Sequence, residues 1–381
     1  MCKEVAVIDQ NQEKSIGFDR SIEICDDLTI EEPIKSRSEI LSQLKDAEKV
    51  LLSCVKTSYK TYYVNIPLWN SKIYSLTLKS EETDENRCPI VLLHGFGGGV
   101  ALWSTVLDGL VSTKHIVHAF DLLGFGSSTR PKFSTDPVQA EKEFVQSIEE
   151  WRSAMKIEQM IFVGHSFGGL LGASYAIEHP ERVRHLVLVD PWGFHEGSMR
   201  RRSTEDDSNR RRVPWWAHIL HPIISQFNPL ATARLLGTRS PKIMKKFRPE
   251  MEGWYKTDAI YDYNYLNNAQ KPSGEVAFKN MNLLLGQVKR PMIHRFNLDP
   301  KIPVTFMYGK QSWVDKTPGY SIKCQRSQSY VNIKIIENAG HQIFAEAPLH
   351  FLEVMDDLLE LVNKNSDLNY PKDDENLEKL T

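Results

Sequence analysis

An α/β fold is predicted: a mostly parallel central sheet with helices on both faces and a helical cap inserted between strands six and seven. Three observations carry that prediction. Short runs rich in Val, Ile and Leu recur at 90–93, 115–120, 160–163, 183–189, 304–308 and 331–336. Helix-period stretches separate several of them, as at 136–155 and 168–179. Runs without polar alternation mark strands buried on both faces, the condition of a parallel sheet covered by crossover helices. The third observation is a break. From about 192 to 295 the alternation stops, and basic residues, a P-W-W tripeptide and helical fragments replace it. An insertion there lies between strands and leaves the sheet unbroken.

The elements follow in order. Residues 1 to about 35 mix both charge signs without a period and read as a polar arm. Ile40, Leu41, Leu44, Ala47, Val50, Leu51 and Val55 recur at helical spacing, so an amphipathic packing helix completes the segment 1–60. Alternating residues between 61 and 79, around N-I-P-L-W-N-S, predict a strand hairpin. The sheet domain spans 61–362, with its cap at about 192–295, and 363–381 form a charged tail.

Composition excludes several classes. The chain has 381 residues, 41% hydrophobic and 25% charged, which are globular proportions and rule out collagen-like or wholly disordered readings. Lys and Arg number 47 against 49 Asp and Glu, a net charge of −2, so nothing global attracts nucleic acid. Five scattered cysteines without a C-x-x-C pair suit reduced thiols rather than a disulfide framework. The start M-C-K-E-V-A-V-I-D-Q lacks the apolar core of a secretory signal, and no apolar run approaches the length of a membrane span. A cytoplasmic protein, soluble or peripherally attached, is expected. No His or Cys set has zinc spacing, and neither metal nor cofactor is expected.

The sharpest motif is M-I-F-V-G-H-S-F-G-G at 160–169. A short strand enters G-x-S-x-G and a helix-like run leaves it, the context of a nucleophile elbow centred on Ser166. Gly164 and Gly168 suit a bend too tight for side chains. A serine hydroxyl is a weak nucleophile at neutral pH and needs a base, oriented in turn by an acid. On such a sheet the chain order is Ser, then Asp or Glu, then His. His341 follows the last strand in E-N-A-G-H and is the expected base. Asp315, in the loop beyond V-T-F-M-Y-G, is the favoured acid, with Asp190 in L-V-D-P-W-G-F its rival. The glycine-rich H-G-F-G-G-G at 94–99 suits an oxyanion hole made by the backbone amides of Phe96 and Phe167. It matches neither the P-loop nor the dinucleotide fingerprint. Asp121 is expected to stabilise a turn near the site.

Together these motifs resemble the α/β-hydrolase superfamily from about residue 89 to 362. F-D-L-L-G-F-G-S-S, F-V-Q-S-I-E-E-W-R, G-H-S-F-G-G, H-L-V-L-V-D-P-W-G-F and R-P-M-I-H-R narrow the resemblance to the branch of abhydrolase domain-containing proteins 4 and 5. That branch includes a lipid-droplet co-activator of triglyceride lipase, also described as a lysophosphatidic acid acyltransferase. The co-activator type carries Asn at the nucleophile position, whereas Ser166 stands here. The resemblance therefore implies a serine acyl hydrolase of (lyso)phospholipids or related acyl lipids, extending to acyl transfer onto lysophosphatidic acid. The alternative it implies is a non-catalytic co-activator at a lipid droplet, with a triglyceride lipase and a droplet-coat protein as partners. The family's H-x-x-x-x-D element, linked to acyl transfer, reads H-Q-I-F-A-E here, making His341 and Glu346 the candidate acyl-transfer pair.

The cap adds a candidate lipid-surface contact. Arg200, Arg201, Arg202, Arg210, Arg211 and Arg212 precede Trp215 and Trp216. Guanidinium groups suit phosphate, and indoles suit the headgroup level of a membrane or droplet.

Overall fold

The computed structural model describes residues 36–196, 230–284 and 287–364. Eight strands form one sheet: β1 (Tyr59–Ile66), β2 (Ser71–Leu78), β3 (Ile90–Leu93), β4 (Val117–Phe120), β5 (Met160–His165), β6 (Val183–Val189), β7 (Val304–Gly309) and β8 (Val331–Ile336). Their spatial order is β1-β2-β4-β3-β5-β6-β7-β8. Strand β2 runs antiparallel to β1 and to β4, and the remaining pairs are parallel. The tight hairpin between β1 and β2 turns through Trp69 and Asn70, both at positive φ.

Strands β3 to β7 are buried along their whole length, which explains their unbroken apolar runs. Successive side chains still serve opposite faces. Val91 and Leu93 enter one core with Phe120, Phe162 and Leu186, while Ile90 and Leu92 enter the other with Val117, Ile161 and Val187. Helices α1 (Arg37–Leu52), α2 (Leu107–Ser112), α3 (Pro137–Ala154) and α4 (Phe167–Glu178) precede the cap. Helix α3 starts cleanly because the Asp136 carboxylate accepts from the N–H of Gln139 at 2.8 Å and Pro137 occupies the first helical position.

The described part of the cap lies between β6 and β7, as the sequence predicts. It comprises α5 (Ala231–Leu236), α6 (Ser240–Phe247), α7 (Glu250–Tyr255), α8 (Ala259–Ala269), α9 (Gly274–Met281) and a short two-stranded ribbon. The chain returning from it is anchored where Arg295 grips Glu141 of α3 through two hydrogen bonds, 2.6 and 2.9 Å. After β7 come α10 (Thr317–Gln325), and after β8 come α11 (Ile343–Glu346) and α12 (Pro348–Lys364). The polar arm, the tail beyond 364, and Arg210, Arg211, Arg212, Trp215 and Trp216 lie outside the described residues.

Helix α1 packs on the sheet and on α8 through Leu44, Ala47, Leu51 and Leu52. The same face carries Glu48, whose carboxylate accepts from the Tyr74 hydroxyl. Burial, with Asp121 nearby, pushes the Glu48 carboxyl up to about 8, against an ordinary 4.5. Burial pushes Asp121 up to about 7. Each raised acid favours the fold in its protonated form. Its contribution is complete below its unfolded value and is lost as pH rises through its folded value. Stability is therefore expected to fall between about pH 4.5 and 8 through Glu48. Glu48→Gln keeps a neutral acceptor for Tyr74 and removes that loss. Thermal melts should show the variant more stable than wild type at pH 8, with the gap closing at pH 5. An equal gap at both pH values would contradict a protonated Glu48.

Candidate active site

Ser166 stands between the end of β5 and the first residue of α4, with φ +53° and ψ −117°. A non-glycine residue holds such a conformation only where its surroundings enforce it. Here the Ser166 N–H donates to the Val189 carbonyl at 3.0 Å, and its own carbonyl accepts from Gly169 at 2.9 Å and Trp192 at 3.1 Å. The flanking glycines answer to space. A Cβ on Gly164 would meet the Gly168 carbonyl at 2.4 Å, and one on Gly168 would meet the His94 carbonyl at 2.5 Å. The bend exists only with glycine at both places.

His341, in the loop after β8, faces the serine. Its Nε2 lies 3.0 Å from Ser166 Oγ, and its Nδ1 lies 2.6 Å from Asp190 Oδ2. Asp190 directly follows β6, is fully buried and has φ +45°. Its N–H donates to the Met307 carbonyl at 2.7 Å, its Oδ1 accepts from the Gly309 N–H at 3.3 Å, and its Oδ2 accepts from the Ser312 hydroxyl. These contacts across to β7 aim the carboxylate at the imidazole.

The expectation that Asp315 meets His341 is corrected. Asp315 Oδ1 accepts from the Thr317 N–H at 2.9 Å at the start of α10, and Oδ2 lies 3.0 Å from His195 Nδ1. Its carboxylate ties the β6 loop to the β7 loop instead. Chain order could not separate the two acids, because Ser166, Asp190 and His341 also run in the order Ser, Asp, His. The backbone at Asp190 decides, and the sequence carries no direct signal of it.

The glycine-rich loop after β3 lies against the serine: a Cβ on Gly95 would stand 2.9 Å from Ser166 Cβ. The Phe167 amide opens α4, so no carbonyl of its own helix can accept from it. Neither it nor the Phe96 amide donates to a turn or loop carbonyl among the described residues. His94 fixes the loop's base. Its Nδ1 donates to the Gly95 carbonyl at 2.7 Å and its Nε2 accepts from the Leu122 N–H at 2.9 Å. This defines one neutral tautomer, and burial lowers the imidazole to about 4.

The cap braces the same loop. From α8, Asn268 Nδ2 donates to the Gly97 carbonyl at 2.9 Å and Asn267 Nδ2 to the Gly98 carbonyl at 2.7 Å. The Tyr263 hydroxyl accepts from the Ala101 N–H at 3.2 Å, and Asp121 accepts from Val100 and Ser127 at 2.8 and 2.7 Å. Asp121 thus stabilises the turn expected of it. Asn267, Asn268 and Tyr263 were not anticipated, since side-chain amides and hydroxyls within a helix leave no periodic signature. An aromatic wall adjoins the serine. The ring of Phe278, from α9, lies 4.2 Å from Phe96, 4.6 Å from Trp192 and 4.9 Å from Phe167. Trp313 lies over His341 at 4.9 Å and is half exposed. Glu346 does not enter this wall; its carboxylate meets backbone amides beside His341.

Residues 89–240 match the alpha/beta hydrolase fold family. A mouse (Mus musculus) protein named (lyso)-N-acylphosphatidylethanolamine lipase is 43% identical over 328 residues, covering 85% of this chain and 93% of the relative. The human (Homo sapiens) 1-acylglycerol-3-phosphate O-acyltransferase ABHD5 is 42% identical over 328 residues, covering 85% and 91%. Among solved structures, naproxen esterase from Bacillus subtilis shares the fold with a TM-score of 0.60 at 16% identity, covering 86% of this chain and 99% of that one. The chain belongs to the α/β-hydrolase superfamily, in the branch of abhydrolase domain-containing proteins 4 and 5.

Proposed function

We propose that the protein is a serine acyl hydrolase of (lyso)phospholipids or related acyl lipids. The observation that carries this reading is the continuous chain from Ser166 Oγ through His341 to Asp190, with links of 3.0 and 2.6 Å. Ser166 Oγ attacks the ester carbonyl carbon while His341 Nε2 takes its proton. Asp190, buried and 2.6 Å from Nδ1, holds the ring so that Nδ1 keeps its hydrogen, and it stabilises the imidazolium. The amides of Phe96 and Phe167 receive the negative oxygen of the tetrahedral intermediate. His341 returns the proton to the departing alcohol, leaving an acyl-enzyme. Water, activated by the same imidazole, releases the fatty acid and restores the serine. A lysophosphatidic acid hydroxyl in place of water makes the same step an acyl transfer, and His341 serves both.

The names of the mouse and human relatives support a lipid acyl group as substrate. The aromatic cluster around Phe167 supports it as well, since its partly buried members Phe96 and Phe278 offer apolar surface against which acyl chains gain by leaving water. No described helix is long and apolar enough to cross a membrane. On this reading the enzyme meets its lipid peripherally, at a droplet or intracellular membrane, where a triglyceride lipase and a droplet-coat protein would be its neighbours. The basic, Trp-containing stretch of the cap is the proposed contact with that surface.

A fluorophosphonate should label Ser166 in the folded protein, and Ser166→Ala should abolish labelling. Across a panel of lysophospholipids, N-acylphospholipids, lysophosphatidic acid and triacylglycerol, only esters whose release disappears in Ser166→Ala are substrates. Folded wild type that resists labelling would favour the non-catalytic co-activator. The acid is tested separately. Asp190→Asn should lower kcat by about 10⁴-fold, the loss seen when a triad imidazole is held in the wrong tautomer. Asp315→Asn should stay within about tenfold of wild type, because it touches neither His341 nor Ser166. The reverse ranking would return the role to Asp315.

A further inference from the structure

Glu346 belongs neither to the Ser166–His341–Asp190 chain nor to the aromatic wall, yet both of its carboxylate oxygens are engaged beside the base. Oε2 accepts from the Gly340 N–H at 2.7 Å, and Oε1 accepts from the Gln342 N–H at 2.8 Å. Those amides flank His341. The His341 carbonyl between them accepts from Nε2 of the buried His165 at 2.9 Å. The backbone carrying the imidazole is therefore held at three successive residues, two of them by one side chain. The fit is close, for a Cβ on Gly340 would stand 2.9 Å from Glu346 Oε2.

The short helix α11 makes this reach possible. Its first turn closes when the Ala345 and Glu346 N–H groups donate to the Gln342 carbonyl at 2.8 and 2.9 Å. That turn swings the Glu346 side chain back over the residues before the helix. There it satisfies the amide of the N-cap residue Gln342 and that of Gly340, two residues earlier. The ring of His341 is fixed separately, at Nδ1 by Asp190 and on one face by Trp313. Backbone and ring are thus located by different groups.

We propose that Glu346 is a positioning residue for the reaction at Ser166, and that H-Q-I-F-A-E is a clamp on the base rather than a site for an acyl acceptor. This rests on the hydrolase reading above. Its logic is geometric. His341 lies in a loop, and a displacement of its Nε2 by about 1 Å can cost about 10²-fold in rate. A carboxylate bridging the amides before and after the histidine restrains that displacement directly. Both oxygens already accept from main-chain amides on either side of the base, which gives the carboxylate a structural task there.

Three variants test it. Glu346→Gln keeps the volume but sets an NH₂ group against one amide. Glu346→Asp keeps both oxygens but withdraws them by one methylene. Glu346→Ala leaves both amides without their acceptor. The rate of fluorophosphonate labelling at Ser166 and kcat should fall together, by about tenfold in the first two and about 10²-fold in the third. KM should stay within about twofold, because the substrate is not touched. With lysophosphatidic acid as acceptor, hydrolysis and transfer should fall in parallel, leaving their ratio at the wild-type value. Loss of transfer with hydrolysis retained would overturn the clamp in favour of acceptor binding, as would wild-type labelling rates in all three variants. Amide hydrogen exchange at Gly340 and Gln342 reads the clamp without turnover. It should accelerate in Glu346→Gln and Glu346→Ala, and unchanged exchange overturns the clamp. Failure of wild type to label while exchange still accelerates would remove the hydrolase reading and keep the clamp.

Discussion

A serine held at φ +53° and ψ −117° is in a region that L-residues enter at a cost of about 1–3 kcal/mol. It stays there because the end of β5 and the start of α4 leave no other path, and because β6 supplies a carbonyl for its N–H. That single turn dictates much of the surrounding sequence. Glycine at 164, 168 and 95 gives the bend and the neighbouring loop room to approach, and full burial of β3, β5 and β6 keeps their ends fixed relative to one another. A nucleophile on a flexible loop would lose its geometry to thermal motion. On the rim of a fully buried parallel sheet it is held by the core itself.

The loop that would receive the oxyanion has no such scaffold, since six residues, 94–99, follow β3 before the next short turn begins. It is held from outside. His94 fixes its base from within the core, Asp121 holds its far end, Asn267 and Asn268 of the cap bind the carbonyls between, and Tyr263 of the cap accepts from Ala101 just beyond. The cap is therefore part of the site's framework as well as its cover. Asp121 also links this framework to α1, whose buried Glu48 shares its electrostatic surroundings. Burial raises both carboxyls, and for Glu48 the nearby Asp121 adds to it.

Much of the architecture is legible in the sequence. Short runs rich in Val, Ile and Leu identified strands β3 to β8, the bounded G-H-S-F-G identified the nucleophile turn, and His341 followed from its place after the last strand. The partner acid was harder. Asp190 and Asp315 both lie just beyond strand ends and both precede His341, so spacing and order favour neither. What separates them is three-dimensional: positive φ at Asp190, a hydroxyl from Ser312, and the capture of Asp315 by Thr317 and His195. The cap's bracing side chains were equally hidden, because Asn and Tyr in a helix act through contacts with a distant loop rather than through periodicity.

The choice between hydrolysis and acyl transfer does not reside in the groups that make the acyl-enzyme. Both reactions share every step up to that intermediate and differ only in which hydroxyl His341 next deprotonates. A residue that holds His341, whether through its ring or its backbone, acts on both outcomes alike. Relatives named as a lipase and as an acyltransferase stand at 43% and 42% identity, so overall similarity does not choose between them either. What differs between water and a lysophospholipid acceptor is size, charge and an acyl chain needing an apolar surface. Selection between them therefore belongs to surfaces beyond the acyl-enzyme machinery. Beside that machinery, Trp313 lies over the base, and the Asp315–His195 pair ties the β6 and β7 loops together. Asp315, with Asp190 in the place beside His341, joins the β6 and β7 loops rather than orienting the base.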